Sequence, residues 1–131
     1  MRLVTPDQAR DLPILRNGVA ATVRHYYGTT GMVHTGPQSF LLENPNAGAR
    51  IEPHFHDSDQ FQVIIGGDGK VGVHDAAPVV FPYADAFAPY GPIVAGTQGI
   101  SFFTMRATAV GGVFNVPGAR HLNGLRSPNF S

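Results

Sequence analysis

Short apolar segments broken by glycine or proline recur along the whole chain, and none sustains the period of a long amphipathic helix. β-Branched and aromatic residues dominate these segments, as they do in strands. The pattern predicts strands over 19–27, 39–43, 50–55, 60–65, 70–74, 78–81, 85–88 and 100–106, with a further short one over 113–115. Gly66-Gly67-Asp68-Gly69 predicts a hairpin turn, because consecutive glycines supply the positive φ that such turns need, and Asp75-Ala76-Ala77 predicts another. One helix of about two turns is expected at the start, with Thr5 as N-cap, Pro6 at the first helical position, Gln8 completing a capping box and Pro13 ending it. Phe40, Leu42, Phe61, Val63, Ile65, Phe81, Phe87, Phe102, Phe103 and Met105 are the expected core or pocket lining.

Composition supports an all-β barrel or sandwich: 16 glycines and 11 prolines in 131 residues leave no room for long helices. A chain of this length makes one domain, 1–131, with a core over about 19–116 and a tail over 117–131. Nine basic residues balance nine acidic ones, and Lys70 is the only lysine, so no basic patch points to nucleic acid or an anionic membrane. The absence of cysteine rules out disulfides, thiolate nucleophiles and cysteine zinc sites, so any metal must take nitrogen and oxygen ligands. No apolar run reaches transmembrane length and the opening residues carry no signal-like apolar segment, which predicts a cytoplasmic protein. Phosphate loops, GxSxG elbows and HExxH helices are missing, which argues against nucleotide chemistry and serine hydrolysis.

The chemistry concentrates in Pro53-His54-Phe55-His56-Asp57-Ser58-Asp59-Gln60. Successive side chains of a strand point to opposite faces, so His54 and His56 share one face, roughly 7 Å apart along the backbone, where two imidazoles can hold one metal ion. Gln60 opens the return strand and can lie beside them, as an amide-oxygen ligand or as a hydrogen-bonding group within the fold. Counting back by two places Glu52 on the same face, as metal ligand, as the group that orients a histidine, or as a general base; a twist or bulge at Pro53 would instead leave it in solvent. Tyr90, in the turn Pro89-Tyr90-Gly91-Pro92, offers an apolar ring and a hydroxyl able to donate a proton, and Tyr83 and Asp85 lie nearby in sequence. His25, His34, His74 and His121 carry no comparable pattern.

Gly48, His54, His56 and Gly67 fall at the offsets of the first motif of the cupin superfamily, and Gln60 stands where that motif has a glutamate. Pro89 and Gly91 fit the second motif, whereas Tyr83, Val94 and Gln98 replace its glycine, histidine and asparagine. The chain therefore resembles a small single-domain cupin over roughly residues 40 to 107. The resemblance implies a jelly-roll β-barrel, commonly a homodimer, holding a divalent transition metal (iron, manganese, nickel, zinc or copper) on His54, His56 and Gln60. It further implies chemistry of the dioxygenase, isomerase, lyase or cyclase type on an oxygen-bearing small organic molecule, with Glu52 or Tyr90 moving the proton. The second expectation, drawn from the replaced motif residues, is a metal-free small-molecule binder without turnover.

Overall fold

The computed structural model describes residues 1–16, 19–28, 36–108 and 114–115. His34, His121, Val113 and the predicted tail over 117–131 lie outside the described residues. Among the described residues the strands are β1 Arg10–Arg16, β2 Val19–Tyr27, β3 Gln38–Asn44, β4 Arg50–Ile51, β5 His54–Phe55, β6 Gln60–Val71, β7 His74–Ala76, β8 Tyr83–Ala84, β9 Ile93–Arg106 and β10 Phe114–Asn115. Eight form one antiparallel sheet in the order β1-β2-β3-β9-β6-β7, with β4 added on β9 and β8 on β6, while β5 pairs with β10. Among the described residues there is no helix, and hence none long and apolar enough to cross a membrane.

The expected N-terminal helix is replaced by one turn and a strand. Thr5 and Gln8 do make the capping contact, Thr5 N donating to Gln8 Oε1 at 3.0 Å, but the chain then extends into β1. Pro13 sits within that strand, tolerated because β1 is at the edge of the sheet. The hairpin expected at Gly66-Gly67-Asp68-Gly69 is likewise absent: β6 runs on to Val71, and the glycines make two register shifts against β9. Gly67, at φ +70°, lies so close to the Gly99 carbonyl that a Cβ would collide with it, so glycine is what lets β6 and β9 approach there. The turn expected at 75–77 is largely strand β7, the strand over 78–81 shrinks to a bridge between Ile64 and Val80, and that over 85–88 gives way to β8 just before it.

The core gathers on one face of the sheet, where Val23, Phe40, Leu42, Ile51, Ile64, Ile93, Ile100 and Phe102 are buried together. Strand β6 departs from the expected sidedness: Gln60, Gln62 and Ile64 are buried, whereas Phe61 and Ile65 are exposed and Val63 is half-buried. Phe81 and Met105 also face outward. Because a strand alternates with period two, the parity that buries Ile64 forces the two glutamines inward with it.

Candidate active site

Cross-strand register stacks the inward residues in three rows. Val23 lies beside Leu42, Leu42 beside Phe102 and Phe102 beside Ile64; one step along, His25 neighbours Phe40, Phe40 neighbours Thr104 and Thr104 neighbours Gln62. The third row sets Gln38 beside Arg106, which hydrogen-bonds Gln60. Apolar at one end and polar at the other, these rows give Val23, Leu42, Phe102, His25, Phe40, Thr104, Gln62 and Arg106 to the lining of a cavity of about 290 Å³, which Ile51, Ile93, His54, His56 and Tyr90 also line.

β5 brings the histidines to that cavity. It is only two residues long and is fixed by a paired bridge to Tyr90, with His54 N donating to Tyr90 O at 3.1 Å and Tyr90 N to His54 O at 3.0 Å. Phe55 points the opposite way into complete burial, its ring stacked on Phe114 at 5.4 Å, so that His54 and His56 face inward. Their rings lie 5.1 Å apart and nearly perpendicular, and the Tyr90 ring is 4.6 Å from His54. His54 Nδ1 is 2.8 Å from the Glu52 carbonyl oxygen. A carbonyl only accepts, so Nδ1 carries the proton and Nε2 the lone pair in the neutral ring.

The polar end is organised by a residue that the spacing argument passed over. Arg106 is buried and donates from Nε and Nη2 to Gln60 Oε1 at 3.0 and 2.8 Å, and from Nη1 to Gln38 Oε1 at 2.6 Å. Since a guanidinium has no acceptor, the Gln60 oxygen must face Arg106, which turns its amide nitrogen to the Tyr90 hydroxyl at 2.7 Å. Phe40 places its ring under the guanidinium, 5.4 Å from Cζ. Burial lowers the Arg106 pKa to about 10, offset in part by the nearby Tyr90 and Asp57, so the group remains cationic at neutral pH. The sequence signal was available: Ile100, Phe102, Thr104 and Arg106 share one parity of β9.

Glu52 stands outside the cavity. β4 ends at Ile51 and the chain breaks before β5, so alternation cannot be carried back through Pro53; Glu52 is exposed and paired with Arg50 at 2.7 Å. Tyr83 is also exposed, donating to Asp85 Oδ1 at 3.1 Å, and His74 is exposed on β7. Of the sequence candidates, His54, His56, Gln60 and Tyr90 come together. Tyr90 alone was a candidate without a spacing motif.

Neither a family model nor a curated protein sequence matches the chain. Solved structures do. The polyketide cyclase RemF from Streptomyces resistomycificus superposes with a TM-score of 0.67 at 16% identity, over 88% of this chain and 85% of that one. A cupin-2 domain from Rhodospirillum rubrum gives 0.68 at 13% identity, over 91% and 82%. The fold is that of the cupins. Another structure similar to it is Fe(II)-HppE with an alternative substrate, at TM-score 0.60 and 12% identity, over 81% of this chain and 60% of that one.

Among the described residues the donors do not fit a resident divalent metal. His54 and His56 are close enough for one ion, but Gln60 commits its oxygen to Arg106, Glu52 faces solvent, and no group of three histidine or acidic residues converges among the described residues. A buried guanidinium beside the same groups adds electrostatic repulsion of a cation.

His25 adds a pH dependence. Burial, and secondarily the charge of Arg10, lowers its pKa, and its buried Nδ1 has no hydrogen-bond partner among the described residues. Above about pH 6.5, the ordinary value, the ring is neutral both folded and unfolded, so its contribution is intact. As the pH falls through that value the unfolded chain takes up the proton first, and stability drops until the folded ring also titrates. Urea midpoints are therefore expected to fall between about pH 7.5 and about pH 5, and to fall less in His25→Gln. An equal fall in the variant removes His25 from this account.

Proposed function

We propose that this cupin takes an oxygen-bearing, largely apolar organic molecule into its cavity and handles it by hydrogen bonding and proton transfer, without a resident divalent metal. The observation that carries the reading is the Gln60 amide oxygen held by Arg106, which withdraws the third metal donor and places a cation in its stead. The apolar rows receive the carbon body of the molecule, and the polar end meets its oxygens. His54, with its tautomer set by the Glu52 carbonyl, offers Nε2 as a base for a proton next to a carbonyl. Tyr90, whose hydroxyl accepts from Gln60 at the polar end, is the group placed to meet the developing oxyanion. The similarity to a polyketide cyclase supports this reading, since polyketides are oxygen-rich carbon chains.

The rival is a metal-dependent enzyme, supported by the His54–His56 pair and by the likeness to an iron-bound structure. Metal analysis of protein purified without chelator decides between them. The expected result is iron, manganese, nickel, zinc and copper each well below one equivalent, unchanged in the His54→Ala/His56→Ala double variant. One equivalent that the double variant loses would overturn the proposal.

A further inference from the structure

Arg106 has no ion-pair partner among the described residues. All nine acidic residues of the chain are described, and the ion pairs formed there, Asp11–Arg24, Glu52–Arg50 and Asp75–Lys70, lie at the surface. Asp57 acts on the guanidinium only through space, from an exposed position. The group instead makes three hydrogen bonds, every one to a neutral amide oxygen of Gln38 or Gln60. It has five N–H groups, so five less three leaves two without a partner among the described residues. A charge that is 5% exposed and, among the described residues, met in contact by amide dipoles and the Phe40 ring bears a desolvation cost that a carboxylate would relieve.

A second observation points the same way. In the adjoining row the buried His25 Nδ1 has no hydrogen-bond partner among the described residues, and the Phe40 ring meets both His25, at 5.7 Å, and Arg106, at 5.4 Å, while the far row is wholly apolar. Were Arg106 only a strap joining β3, β9 and β6, a neutral donor would tie the two glutamines without burying a charge. The guanidinium matters most for something that brings the missing negative charge.

Resting on the cavity reading above, we infer that the ligand is an organic monoanion, with a carboxylate at Arg106 and an apolar body reaching toward Phe102 and Leu42. A carboxylate offers two acceptor oxygens to the two remaining N–H groups, and charge-assisted bonds in a water-poor cavity are strong. A neutral ligand of the same shape leaves the buried charge as it stands.

Titration calorimetry of the full chain with 1-naphthoate and with 1-naphthamide tests this, because the two share a ring body and differ in charge. Naphthoate is expected to bind roughly ten- to a hundredfold more tightly. In Arg106→Met the two should bind about equally; should that variant fail to fold, the comparison in the unaltered chain still decides. Equal affinities in the unaltered chain overturn the charge assignment and leave the cavity reading standing. A preference that survives in Arg106→Met overturns the role of Arg106, and binding of neither probe overturns both inferences.

Discussion

Phe55→Ala is expected to destabilise the fold by about 3–5 kcal/mol, the usual cost of emptying a buried phenylalanine site. The ring is fully buried, stacked on Phe114 at 5.4 Å and 6.5 Å from Phe87. Its surroundings cannot collapse easily, because β5 is two residues long and is held through both its neighbours, Tyr90 on one side and β10 on the other. Against total stabilities of about 5–15 kcal/mol the loss is large. It also reaches the site: the same strand that buries Phe55 turns His54 and His56 inward, so a loosened β5 loosens the pair. Urea unfolding measures the effect, and a loss under about 1 kcal/mol would show that β5 is positioned by its hydrogen bonds rather than by this ring.

What the sequence revealed, and what it concealed, follows from which interactions are local. The β2 strand over Val19–Tyr27 and the inward pairing of His54 with His56 depend on neighbouring residues alone and were legible. The Thr5–Gln8 capping pair was legible too, yet it closes a single turn, because pairing of β1 with β2 outweighs what two helical turns of this length would gain. Sidedness on β6 was misjudged because hydrophobicity alone favours burying Phe61 and Ile65. Long-range register against β9 sets Ile64 inward instead, and Phe61 finds a partial cover in the Tyr83 ring at 4.9 Å. Of the two positions open to Glu52, the solvated one holds, because alternation cannot be counted through a proline at which the strand stops. Arg106 lies 46 positions from Gln60 and 68 from Gln38, a separation at which only the assembled sheet shows that the three meet.

Their meeting changes what Gln60 means. By motif position it is a weakened metal ligand; by geometry it is the neutral partner that leaves a buried cation uncompensated. The two meanings predict opposite results for installing the motif's glutamate. If Arg106 awaits an external anion, Gln60→Glu supplies an internal one: the carboxylate accepts from Arg106 with one oxygen and from the Tyr90 hydroxyl with the other, in nearly the same space. The preference for naphthoate over naphthamide should then collapse by roughly ten- to a hundredfold.

Stability should change in the same variant. Arg106 holds the introduced carboxyl below the ordinary glutamate value of about 4.3, so the added stability is present above that pH and is lost as the pH falls through the lower folded value. Metal binding supplies the contrasting measurement. In Gln60→Glu the carboxylate remains with Arg106 and zinc uptake stays low; in Gln60→Glu/Arg106→Met it is released beside His54 and His56, giving two nitrogens and an oxygen, and zinc uptake is expected to rise toward one equivalent. Equal zinc uptake by the single and double variants would show that Arg106 does not hold the site closed to metal. A naphthoate preference left intact by Gln60→Glu would place the anion away from the guanidinium.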